Sequence, residues 1–62
     1  MSPGDHVSVY NRSHWGGITH RGEGLLLKMT YAAYDPSMSR WHVLMHVGTV
    51  ETHKEANLKV IE

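Results

Sequence analysis

The chain of 62 residues contains no cysteine and no phenylalanine, and only two prolines. Without cysteine it forms neither disulfides nor thiolate zinc sites, so it is compatible with a reducing compartment. Apolar runs such as Leu25-Leu26-Leu27 are far too short to span a bilayer, and no basic region followed by an apolar run opens the chain. We therefore expect a cytoplasmic protein without membrane contact.

The chain also lacks an excess of either charge, because six Lys and Arg balance six Asp and Glu. No overall positive field therefore attracts nucleic acid from a distance. Histidine is abundant instead, with six residues, and an unperturbed imidazole titrates near pH ~6.5. Mild acidification would raise the net charge from zero towards about +6.

The length of the chain limits its hydrophobic core. A chain of this size forms one domain, here residues 1–62, and buries only about 60% of the surface that its unfolded form exposes. Small domains with so thin a core often gain stability by association, and an open sheet edge offers unpaired backbone groups. We therefore expect a homo-oligomer.

Apolar residues at alternate positions predict an all-β fold. Trp41, Val43, Met45 and Val47 occupy alternate positions, and the pattern resumes after a Gly48-Thr49 turn. These two segments are expected to form an antiparallel hairpin. In all, five strands are predicted, over residues 6–10, 25–31, 41–47, 49–53 and 58–61.

Turn-forming residues occupy the predicted connections. Residues 11–24 contain four glycines and several polar residues, which predicts a long, mobile first loop. Asp35-Pro36-Ser37 initiates a turn, because a residue before proline avoids helical angles. Residues 53–57 predict a single 3₁₀ turn before the last strand. Residues 23–33 also carry apolar residues at helical spacing, so a helix is the local alternative there.

Both ends of the chain carry motifs with a family resemblance. These motifs are Pro3-Gly4-Asp5-x-Val7-x-Val9 and Trp41-x-Val43-Leu44-x-x-x-Gly48-Thr49-Val50-Glu51-x-x-x-Glu55-x-Asn57-Leu58-Lys59-Val60-Ile61. Together they resemble the short, mostly uncharacterised SH3-like proteins that tailed phages encode. The resemblance implies a small five-stranded SH3-like barrel with a long first loop and a 3₁₀ turn before the last strand. It implies little about activity, because one fold hosts many unrelated sites.

Gly4-Asp5-x-Val7 and Gly48-Thr49-Val50 carry a second resemblance, to the SH3-like type II dihydrofolate reductases. In those plasmid-borne tetramers a Val-Gln-Ile-Tyr run builds the pore. The matching residues 50–53 here read Val-Glu-Thr-His, so Glu51 replaces the amide that meets substrate and cofactor. Because a carboxylate repels the phosphate-bearing cofactor NADPH, we expect neither enzyme activity nor a bound cofactor.

Histidine and hydroxyl side chains form no catalytic or metal-binding motif. His42 and His46 would converge on one ion in a helix, but in a strand they lie about 13 Å apart. Residues from other strands would have to complete any metal site. Ser13-His14 and Thr52-His53 adjoin, yet neighbours on a strand point to opposite faces. We therefore expect no catalytic residues and no metal ligands.

Aromatic side chains in the loops are the best candidates for a binding site. SH3-like modules present such groups to extended peptides, methylated ammonium groups or single-stranded bases. Trp15 lies in the glycine-rich segment, where nothing in the pattern requires burial, and Tyr10, Tyr31 and Tyr34 are expected near the same rim. The alternative for Trp15 is to fold back over one end of the core. Trp41 is expected inside the core.

The sequence thus predicts a small non-enzymatic binding or adaptor module, similar to a phage accessory protein, that contacts another protein through its loop aromatics. The first alternative is a nucleic-acid-binding module, which requires the basic side chains to gather on one side. Arg12, Arg21 and Lys28 are the candidates for that gathering. The second alternative is the oligomeric pore enzyme.

Overall fold

The computed structural model describes residues 1–61, which form a single antiparallel sheet of five strands. The strands are β1 (His6–Arg12), β2 (Ile18–Tyr31), β3 (Arg40–Met45), β4 (Val50–Lys54) and β5 (Leu58–Val60). Their order across the sheet is β4-β3-β2-β1-β5, so β4 and β5 are its edges. The predicted all-β class with five strands is confirmed, and the alternative of a helix over residues 23–33 is wrong.

The connection between β1 and β2 is shorter than the sequence indicated. Residues 18–24 belong to β2 and pair with β1, so only residues 13–17 remain as a turn. The prediction of a long loop over residues 11–24 is therefore wrong. Gly16 and Gly17 lie in this turn, whereas Gly24 lies on β2 where the backbone of Leu44 passes too closely for a side chain.

The hairpin of β3 and β4 forms as predicted, although its connection is longer than the expected Gly48-Thr49 turn, since Leu44 lies opposite Val50. Trp41, Val43 and Met45 point into the core, as their alternation predicted. Gly48 adopts a φ of 98°, which a side chain rarely tolerates, and its N–H donates to the carbonyl of Met45 over 2.8 Å. Val47 was expected to continue the buried row, but it lies in this turn and is 71% exposed. The buried alternation therefore ends at Met45.

A compact apolar cluster fills the concave side of the sheet and includes residues from four strands. Its members are Val7, Val9, Leu26, Trp41, Val43, Met45 and Leu58. Burial of Trp41 is thus confirmed. Three of these residues lie on β3 and two on β1, so these two strands contribute most of the core, and β4 contributes none of it.

One end of the sheet is tied by the buried hydroxyl residue Ser39. Its Oγ accepts a hydrogen bond from the Ala33 N–H at 3.0 Å, and its carbonyl accepts one from the Glu55 N–H at 2.7 Å. Glu55 in turn accepts the indole N–H of Trp41 at 3.0 Å. The two 3₁₀ turns that meet here span Pro36–Met38 and Glu55–Asn57, which confirms the predicted turn after Asp35 and the 3₁₀ turn before the last strand.

Candidate functional site

Trp15 stands at the tip of the β1–β2 hairpin and is 95% exposed. The turn beneath it is well defined by hydrogen bonds. Ser13 donates its N–H to the Gly17 carbonyl at 2.9 Å, and its Oγ accepts the Gly17 N–H at 3.0 Å. Gly16 adopts a φ of 80° and donates to the Ser13 carbonyl. The indole is therefore presented to solvent on an ordered turn and does not cover the core.

The three tyrosines of the predicted rim lie on different elements. Tyr10 of β1 is half-buried and packs against the ring of His20 on β2, with ring centroids 5.3 Å apart. Tyr31, at the far end of β2, lies 5.8 Å from the guanidinium of Arg40. Tyr34 is fully exposed in the connection that follows β2. Among residues 1–61 no aromatic contact joins two of the four candidates, so a shared rim stays a prediction.

A concave surface with a volume of about 720 Å³ lies beside the end of the sheet that Ser39 links. We call it the basic groove, and define it by the cations Arg12, Arg40 and Lys54 with the amides Asn11 and Asn57. Arg12 reaches the groove from the end of β1, where its Nη2 lies 3.5 Å from the carbonyl oxygen of Ala56. No aspartate or glutamate of the described chain lines it.

Two of these cations face each other across the sheet. Arg40 of β3 is the direct partner of Lys54 on β4. Like charges in this position destabilise a strand pair, and the cation–π contact with Tyr31 offsets that repulsion only for Arg40. Within residues 1–61, no carboxylate oxygen lies within 4.0 Å of the side-chain nitrogens of Arg12, Arg40 or Lys54.

The remaining basic candidates lie elsewhere. Arg21 bonds Glu51 with two nitrogens, at 2.7 and 3.3 Å, and Lys28 lies opposite His42 on β3. Neither Arg21 nor Lys28 lines the basic groove, so a gathering of Arg12, Arg21 and Lys28 stays a prediction. Arg40 and Lys54 were missed because a turn at Gly48-Thr49 would not place them opposite each other, whereas the longer connection over residues 46–49 does.

Glu51 is the centre of a charged cluster on β4. Its carboxylate accepts hydrogen bonds from Arg21 and, at 2.8 Å, from Nε2 of His53. Because these donors favour the charged form, Arg21 most strongly, the pKa of Glu51 falls from 4.5 to about 2. The pKa of Arg21 is raised by the same hydrogen bond. Glu51 is the residue that matches the pore amide of the type II dihydrofolate reductases, and two side chains already bind its carboxylate.

Histidine side chains do not converge in the described residues. His42 lies on β3, whereas His46 lies in the following turn with its Nδ1 3.2 Å from the carbonyl oxygen of Glu23. Across residues 1–61 no group of three potential metal ligands comes together. The same residues include no helix of sufficient length and apolar character to cross a membrane.

Comparison of the chain with models of known protein families, with curated proteins and with solved structures found no match. A function for the chain is therefore inferred from its own geometry.

Proposed function

We propose that the chain is a small SH3-like barrel that acts in the cytoplasm as a non-enzymatic binding or adaptor module of the phage accessory kind. Its partner is another protein, contacted chiefly through Trp15, with Tyr34, Tyr31 and Tyr10 as further contacts. The barrel is supported by the five antiparallel strands and by the Arg21–Glu51 ion pair, which links β2 directly to β4 past the intervening β3.

The exposure of Trp15 is the observation that carries the proposal. An indole is expensive to leave in water, and tryptophan is among the residues that contribute most to protein interfaces. The hydrogen-bonded turn of residues 13–17 holds the backbone under it in place before any partner arrives. A preorganised anchor loses little conformational entropy on binding, which favours affinity.

Self-association is part of the proposal and is supported by a separate surface. On the convex side, Leu25, Leu44 and Val50 are direct neighbours on β2, β3 and β4, and each is at least 37% exposed. This outer row adjoins the free edge of β4. A second copy that covered the row would bury apolar side chains on both subunits and protect that edge.

A capture experiment tests the contact role of Trp15. Immobilised wild type should retain a specific protein from a host lysate, and Trp15→Ala should lose it, because a tryptophan anchor contributes about 2 kcal/mol or more, roughly 30-fold in affinity. Val47→Ala is the matched control, since Val47 is also exposed on a hairpin turn. Equal capture by all three proteins would contradict the proposal.

The captured protein then allows a direct measurement. Binding should quench or blue-shift the emission of Trp15, whereas the emission of the buried Trp41 should stay constant. The spectral change is therefore expected to vanish in Trp15→Ala. A change of equal size in that variant would assign the contact to another surface.

A further inference from the structure

The basic groove concentrates positive charge in a chain whose formal net charge is zero. Its three cations come from β1, β3 and β4, so folding brings them together from distant parts of the sequence. The carboxylates near the groove form hydrogen bonds to other side chains. Glu51 binds Arg21 and His53, and Glu55 accepts the indole N–H of Trp41. Arg21 offsets the charge of Glu51, whereas an indole N–H carries no charge to offset that of Glu55. Three lining cations still outnumber this one neighbouring carboxylate, so the local field of the groove is positive although the chain is neutral overall.

The groove continues along the surface beyond Arg12. A second concave surface, of about 380 Å³, shares Arg12 and Ala56 with it and adds Tyr10 and Lys59. The two together form a path on which Lys59, Arg12, Lys54 and Arg40 succeed one another. Tyr10 lies at one end of this path, and Tyr31 lies under Arg40 at the other.

A row of cations flanked by aromatic rings suits the binding of single-stranded nucleic acid. The cations follow the phosphates, and the rings stack on the bases without regard to sequence. Asn11 and Asn57 add amide groups that can hydrogen-bond to phosphate or base edges. An acidic peptide would satisfy the cations but leave the rings without stacking partners, so the observations favour the nucleic acid.

We propose that single-stranded nucleic acid binds along this path, with its phosphates on Lys59, Arg12, Lys54 and Arg40 and its bases against the terminal tyrosines. The path does not include Trp15, but it shares Tyr10 and Tyr31 with the protein contact proposed above. Recognition is of the backbone and of base faces, so little sequence preference is expected.

A salt titration tests the proposal. The probe is a fluorescein-labelled oligothymidine of about 12 nucleotides, within the usual range for a small barrel. At low salt the wild type should bind it, and the plot of log K against log salt should have a slope of about −3, since each phosphate neutralised on a single strand contributes about −0.7.

Charge variants identify the path. Lys54→Gln should bind about tenfold more weakly, through loss of one charge-assisted contact, and its slope should become shallower by about 0.7. Lys28→Gln removes the same charge from a residue that lies opposite His42 and does not line the path, and should leave both values unchanged. Because Lys54 faces Arg40, its replacement should not lower the melting temperature, which separates lost binding from lost folding.

The tyrosine at the end of the path gives a different signature. Tyr31→Leu removes the ring but no charge, so affinity should fall while the salt slope stays the same. Absence of binding at low salt, or an equal loss in Lys28→Gln, would overturn the proposal. Equally tight binding of polyglutamate would assign the groove to an acidic protein segment instead, and equal affinity for a duplex would refute single-strand recognition.

Discussion

Replacement of Gly24 by alanine should destabilise the fold strongly, because this position lies at the most crowded crossing of the sheet. Gly24 pairs with Val7 on β1 and with Met45 on β3. A methyl group on it would lie 2.6 Å from the carbonyl oxygen of Leu44 and 2.7 Å from Cγ1 of Val43. Favourable contacts between carbon atoms lie near 3.5–4.0 Å, so both distances are repulsive.

The size of the destabilisation depends on which atoms the added methyl group would displace. The Leu44 carbonyl is backbone, and Val43 is completely buried, so neither gives way without displacing β3 from the core. Overpacking of this kind costs about 1–3 kcal/mol. For a domain of this size each kcal/mol lowers the melting temperature by about 4–8 °C, so Gly24→Ala should melt roughly 5–20 °C below wild type.

Thermal unfolding followed by circular dichroism measures the effect. Gly17→Ala is the matched control, because the only close neighbour of its methyl group is Oγ of Ser13 at 3.1 Å, a side-chain atom that can rotate away. That variant should melt within about 5 °C of wild type, consistent with a loss below 1 kcal/mol. Similar melting of Gly24→Ala and wild type would refute the reasoning about the crossing.

Two further predictions concern Glu51 and Val50. The stabilisation from ionised Glu51 is complete above its ordinary pKa of 4.5 and is lost as the pH falls through its lowered pKa of about 2. Glu51→Gln should therefore be less stable near neutral pH, by at most about 1 kcal/mol for so exposed a pair, and the difference from wild type should disappear near pH 2; a constant difference would contradict it. Sedimentation at tens of micromolar should show a wild-type oligomer and a monomeric Val50→Lys, and a monomeric wild type would refute the association.

The parts of the fold with one buried and one solvated face could be predicted from the sequence. In β3, alternation specifies both the strand and its register, since a one-residue slip would expose Trp41 and Val43. The first half of β2 offers no such signal. Residues 18–21 are all exposed, so their strand conformation comes from backbone pairing with β1 and not from an apolar pattern.

The two candidate sites also differ in how far the sequence indicates them. Trp15 was open to prediction because a large apolar residue in a polar, glycine-rich turn is a local anomaly. The basic groove was not, because Arg12 reaches it only through the fold, near the carbonyl of Ala56. Sequence distance conceals this contact, and the facing positions of Arg40 and Lys54 depend on a connection over residues 46–49 that is longer than the predicted turn.

The facing cations Arg40 and Lys54 have a consequence for the energy landscape of the molecule. Their repulsion opposes the pairing of β3 and β4 that the rest of the sheet favours. Conflicts of this kind concentrate at functional sites. If single-stranded nucleic acid binds as proposed, its phosphates would relieve this repulsion. Binding would then be coupled to folding, and an occupied groove would make the native state harder to unfold than an empty one.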